Sequence, residues 1–148
     1  MGIADAELME ASLIAVAEVG IELRFALFER FFAAWPERRA SFLNVDAASR
    51  RMTDETLEMM MGLAKGEDNW VWPLAAELIA NHRGYGNLPL AEFESWIALT
   101  IEVVRDAAGA VWNAETEAAW VRQGERLKVM LEEARAGWDR AMPVHITL

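Results

Sequence analysis

Apolar residues recur at helical spacing along almost the whole of this chain, and that one pattern leaves little room for anything but packed helices. Ile21, Phe25, Phe28, Phe32 and Trp35 fall at steps of four, three, four and three before Pro36 stops or bends the helix. Phe93, Trp96, Ile97, Thr100, Ile101 and Val104 form a second stripe behind Pro89, a residue suited to a helix's first turn. Trp120, Gly124, Leu127, Leu131 and Ala134 form a third. It is opened by Asn113 as an N-cap, with Glu115 and Glu117 close to the positive end of the helix dipole. Between these stripes the sequence predicts a helix from about Asp5 to Val19, a helical turn from Pro36 to Phe42, and a polar loop from Asn44 to Ser49. A further helix runs through Thr53, Leu57, Met60 and Met61 until Gly62 and Gly66 weaken it. A charged connection from Lys65 to Asn69 and a helix from Val71 to His82 follow. No run alternates apolar and polar residues between turn signals, so a sheet is not expected. The expectation is one all-α domain over residues 1–148, with a flexible tail from about residue 141.

At 148 residues a chain buries about 70% of its unfolded surface, enough for one sizeable core. The hydrophobic share of 54%, with seven Trp and eight Met, exceeds the ~45–50% typical of soluble domains. Either the core is large or something apolar is lodged in it. Fourteen Lys and Arg against 24 Asp and Glu leave a net charge of −10, a field that repels a phosphate backbone and argues against nucleic-acid binding. The absence of cysteine removes disulfides, iron–sulfur clusters, thiolate zinc sites and cysteine nucleophiles together. The N-terminus MGIADAELMEASL is acidic where a signal peptide is positive, and no apolar run approaches the ~18 residues of a membrane span. A cytoplasmic protein with no membrane partner is therefore expected. Ser12, Ser41, Ser49 and Ser95 have no second core histidine to activate them, and Gly84 and Gly86 follow a helix rather than the strand that a phosphate loop requires.

Histidine is the transition-metal ligand that remains. Leu74, Leu78 and His82 lie at steps of four, with Ala75 and Ile79 beside them, so the imidazole points where the leucines point. A buried neutral imidazole donates through one nitrogen, here to a nearby carbonyl such as that of Leu78, and offers the other to a metal. The competing reading is a core histidine satisfied by that carbonyl alone. One side chain does not hold zinc, which takes three or four protein ligands. If His82 binds metal, a cofactor must complete the coordination, and haem is the common case in which one histidine suffices.

Two stretches around this residue bear on that choice. FERFFAAWPERRASF, residues 28 to 42, is similar to the helix–proline–short-helix–Phe segment of bacterial globins, including the haem domain of flavohaemoglobins. HRGYGNLPLAEFESWIALTIEVVRDAAGAVWNAETEAAW, residues 82 to 120, resembles the proximal-histidine corner and two long C-terminal helices of the same family. The resemblance implies a globin fold of about six to eight helices around haem b. It gives His82 the iron and Phe42 the position of the aromatic residue that packs against the porphyrin. Phe28 falls where bacterial relatives carry a tyrosine that donates to bound oxygen, and phenylalanine donates nothing. The ligand-gating position falls on Met52 or Thr53 depending on a one-residue choice of loop length. Thr53 with Leu57 on the next turn is preferred over Met52 with Thr56. Leu78, Tyr85 and Leu88 complete the expected haem contacts, and Arg50, Arg51 and Arg83 stand as propionate partners or as ordinary surface ion pairs. Ligation of the iron by the Met52 thioether is a narrower idea, set against the filler role that methionine usually plays in cores.

The function implied is reversible binding of oxygen, nitric oxide or carbon monoxide at an apolar distal site, for gas sensing or nitric-oxide chemistry rather than storage. Any turnover needs an external electron donor, because the chain carries no reductase domain. The alternative is a haem-free globin-fold interaction or sensor protein whose pocket is filled by Phe28, Trp70 and the Met run. A third reading is a helical sensor module that reports ligand state to a partner, as a homodimer through its two long final helices.

Overall fold

The computed structural model of the chain describes residues 4–82 and 88–141. Six α-helices follow one another: α1 (Asp5–Val19), α2 (Leu23–Ala34), α3 (Val45–Ala64), α4 (Asp68–His82), α5 (Leu90–Ala108) and α6 (Ala114–Ala141). Short 3-10 turns cover Pro36–Ser41 and Gly109–Val111. No strand occurs among the described residues, in agreement with the all-α expectation. The breaks have local causes. Gly20 closes α1 in the left-handed region, at φ 73°, where its N–H reaches the Ala17 carbonyl at 3.1 Å. Pro36 ends the α2 geometry, and Pro89 is the N-cap of α5. At the start of α6 the Asn113 side chain accepts the Thr116 N–H at 2.9 Å, as its position predicts.

Asn44–Ser49 is a helix start rather than a loop. The Asn44 side chain accepts the Ala47 N–H at 3.0 Å, so the polar composition there belongs to a capped first turn. Its other polar groups serve Arg24 of α2, a buried residue whose Nη1 donates to the Asp46 carboxylate at 2.6 Å and the Ser49 hydroxyl at 2.9 Å. That arginine also turns α2 from its expected face. Arg24 takes an inward place, Phe25 lies outside against its guanidinium at 4.3 Å, and the buried side becomes Leu23, Leu27, Phe28, Phe31 and Phe32. Helix α4 begins at Asp68, inside the expected charged connection, after a turn closed by Glu67 N–H on the Gly62 carbonyl at 2.8 Å. Trp70 and Trp72, in the first turns of α4, are partly exposed at the surface.

All six helices feed one buried cluster, in which Met9, Leu27, Met60, Val71, Val104 and Trp120 are fully enclosed. α6 packs against α1, α3, α4 and α5, and α2 packs against α3 and α5. Two tryptophans cross-link this bundle by the same device. Ser12 donates to the Met9 carbonyl of its own helix at 2.6 Å and accepts the Trp120 indole N–H at 2.9 Å. Thr56 donates to the Met52 carbonyl at 2.7 Å and accepts the Trp96 N–H at 2.8 Å. Each bond satisfies a buried donor that would otherwise cost about 1–3 kcal/mol. At the α3–α4 corner Arg126 of α6 donates to the Leu63 carbonyl at 2.7 Å and pairs with Asp68 at 2.7 Å. No helix of the described residues is long and apolar enough to cross a membrane.

Candidate functional site

The packing of α3, α4 and α5 around the Pro36–Ser41 turn leaves a cavity of about 720 Å³, inside the ~300–1,000 Å³ range of small-molecule sites. From α3 it receives Arg51, Met52, Glu55 and Thr56, one face of the helix at steps of about four. From α4 come Leu78 and His82, and from α5 Glu92, Phe93 and Trp96. Phe42 and Leu88 line it from the connections before α3 and before α5.

His82 ends α4 half-buried, with Nδ1 2.8 Å from the Leu78 carbonyl of the preceding turn. A carbonyl only accepts, so Nδ1 carries the proton. In the neutral ring that assigns the lone pair to Nε2, the nitrogen a metal takes. The Phe93 ring stands edge-on to the imidazole, with centroids 5.5 Å apart and planes at 72°. Ring orientation is thus held from its own helix and from α5.

Five residues predicted for the site line this one cavity: His82, Phe42, Met52, Leu78 and Leu88. Phe28 stands behind it, edge-on to Phe42 at 5.5 Å and to Trp96 at 5.2 Å. Thr53 and Leu57 do not line the cavity. Thr53 is buried with its hydroxyl making no hydrogen bond among the described residues, and Leu57 packs on the core. The helix register that faces the cavity is therefore Met52 with Thr56, not Thr53 with Leu57. Tyr85, Arg83 and the tail after residue 141 lie outside the described residues. Of the arginines considered for propionates, Arg51 lines the cavity, whereas Arg50 approaches Asp46 at 3.8 Å.

Two features escaped the sequence reading. Glu92, only 5% exposed, forms a two-pronged ion pair with Arg38 in the cavity wall, both contacts at 2.6 Å. The carboxylate raises the Arg38 pKa above its ordinary value, outweighing the opposing effect of burial. An acid in a helix's first turn is ordinary and gave no sign of being buried. The second is the Trp96–Thr56 bond, which occupies an indole donor that sequence spacing marked only as core and the hydroxyl of the residue paired with Met52 in the less preferred register.

Comparison with family models, with characterised proteins and with solved structures gives no match. The residues themselves fit haem on chemical grounds. Among the described residues no group of three or more His, Asp or Glu side chains is placed to hold a bare metal ion. A single oriented imidazole, in a cavity lined by apolar and polar side chains alike, suits a metal whose other ligands arrive with it. Arg51 at the cavity provides a cation for an acidic cofactor edge.

Proposed function

We propose that the chain is a haem-binding globin-like protein that takes a diatomic gas in the cavity between α3 and α5. The observation that carries this reading is the His82 imidazole, lining that cavity with its Nδ1 proton committed to the Leu78 carbonyl. Haem iron, if bound there, would supply reversible binding of oxygen, nitric oxide or carbon monoxide. His82 would hold the metal and Phe42 would pack on the macrocycle. Leu78, Leu88 and Phe93 would exclude water from it, and Arg51 would face its carboxylates.

The chain's own hydrogen bonds bear on which gas chemistry suits the site. Phe28 has no donor, the Trp96 N–H is taken by Thr56, and the Thr56 proton is taken by the Met52 carbonyl. With these three positions giving no open donor, sensing or nitric-oxide chemistry is favoured over oxygen storage, those of Ser41, Asn44, Arg51 and Asn81 being among the lining's other donors. Glu92 adds no free charge, because Arg38 neutralises it. The haem-free alternative has Phe28, Trp70 and the Met59–Met61 run filling the pocket, and none of these lines the cavity.

Carbon monoxide tests the reading without relying on turnover. The haem-reconstituted, reduced protein is expected to show a sharpened, shifted Soret band at one carbon monoxide per haem, reversed by photolysis. A protein that acquires no Soret band with haem favours the haem-free sensor. One that acquires it but ignores carbon monoxide loses the gas-binding function.

A further inference from the structure

Leu43 is fully exposed, at 107% of its reference surface, and yet belongs to the lining of the cavity. Scattered apolar side chains at a surface are ordinary. Leu43 differs from them in position. The other large apolar residues exposed among the described ones show 38–60% of their surface, and none of them lines the cavity. The chain on either side of Leu43 is tied down. Before it, the Arg38–Glu92 pair clamps the Pro36–Ser41 turn to α5, and the Phe42 ring packs edge-on to Phe28 at 5.5 Å and to Phe32 at 5.6 Å. After it, the Asn44 cap on Ala47 at 3.0 Å starts α3. Leu43 itself has neither kind of hold, because its amide and carbonyl bond to no described residue and its side chain stands in solvent. A residue with so few contacts between two fixed points is where local motion costs least. Rotation about its side-chain bonds moves its methyl groups relative to the cavity mouth without displacing Phe42 or Asn44.

We infer that Leu43 is the closing residue of the cavity rim: a bound macrocycle draws its side chain out of solvent onto the ligand's apolar edge, and this contact slows the ligand's departure. The inference rests on the haem reading above. The driving force is hydrophobic, since a porphyrin edge at the mouth gives the leucine an apolar surface to cover that the protein without ligand lacks. The ligand shifts the rim toward its closed position by as much as it favours that position over the open one. Burying a leucine side chain is worth about tenfold or more in such an equilibrium. The anchors on both sides keep the movement local, so closure leaves the Phe42 ring and the first turn of α3 in place.

The chain has no cysteine, so Leu43→Cys carries a single thiol whose modification rate reports the rim directly. The reference is Val129→Cys on α6, a position 49% exposed and outside the lining. Haemin is expected to slow modification of the Leu43→Cys thiol severalfold and to leave the Val129→Cys thiol unchanged. The Soret band of Leu43→Cys should match that of the wild type, which shows that the thiol is not on the iron. Transfer of haemin to an excess of a haem scavenger gives the second readout. Leu43→Ser should lose haemin about tenfold faster than the wild type, and Leu43→Met at the wild-type rate. Equal modification of the Leu43→Cys thiol with and without haemin overturns the inference and leaves the haem reading standing, as does unchanged haemin loss from Leu43→Ser. Failure of the wild type to acquire any Soret band overturns both.

Discussion

Thr53 and Met52 are adjacent in sequence, yet only Met52 reaches the cavity. One residue turns a helical side chain by about 100°, so a one-residue ambiguity in loop length was enough to exchange the two. His82 was legible where this pair was not. Its orientation follows from the Leu74–Leu78–His82 spacing, and the Nδ1–Leu78 contact at 2.8 Å is the bond that a step of four within one helix allows. The buried Thr53 hydroxyl has no hydrogen-bond partner among the described residues, so Thr53→Val is expected to leave stability unchanged or raise it by about 1 kcal/mol. Urea denaturation reads this directly, and the haem spectrum should not change. A lost spectrum would return Thr53 to the ligand pocket. At the Arg38–Glu92 pair the expectation is opposite. Arg38→Ala strands a buried carboxylate and should cost about 3 kcal/mol, whereas Arg38→Met with Glu92→Leu should recover most of the loss. A double variant as unstable as the single one would show that the pair is not the cause.

Helix existence was legible throughout, because the apolar spacing of each segment is long and regular, but two boundaries and one face were not. Asn44–Ser49 is polar for reasons of capping and of service to Arg24, both tertiary facts that local composition mistakes for a loop. The α2 face shifted because Arg24 was drawn inward by Asp46, a residue 22 positions away. Gly62 offers a test at this scale. It sits within α3, where alanine gains about 1 kcal/mol of intrinsic helix preference. A Cβ there would meet the Trp70 ring at 2.5 Å and Val71 Cγ2 at 2.7 Å on α4. The Trp70 ring is partly exposed and free to yield, but Val71 is fully buried. Overpacking costs about 1–3 kcal/mol, so Gly62→Ala is expected to destabilise by about 1 kcal/mol net in urea melts. An increase in stability would mean that α3 and α4 separate at little cost.

Across the molecule, the ends of distant helices are joined by arginine–carboxylate pairs, and these set the response to acid. Asp5 accepts from Arg122 at 2.7 Å and from Gln123 at 2.9 Å, tying α1 to α6, and Arg122 is the main cause of its lowered pKa. Asp46 is lowered chiefly by Arg24 and Asp106 by Arg30. A carboxyl that releases its proton more readily folded than unfolded adds stability above the unfolded pKa, near 3.8. That stability is lost as pH falls through the folded values. The urea midpoint should therefore drop steeply as the pH falls from about 4, and less steeply in Asp5→Asn. Equal slopes would remove Asp5 from the account. None of these pairs was legible, because sequence shows charges without partners. The helical scaffold and the imidazole's place on it were legible because both are periodic. The proposal that joins them is haem ligation by His82, and titration of the apo protein with haemin tests it most directly. Wild type is expected to bind one equivalent with a sharp Soret band, His82→Ala to lose that band, and added imidazole to restore it in the variant. An undiminished band in His82→Ala, or its absence from the wild type, would contradict the account.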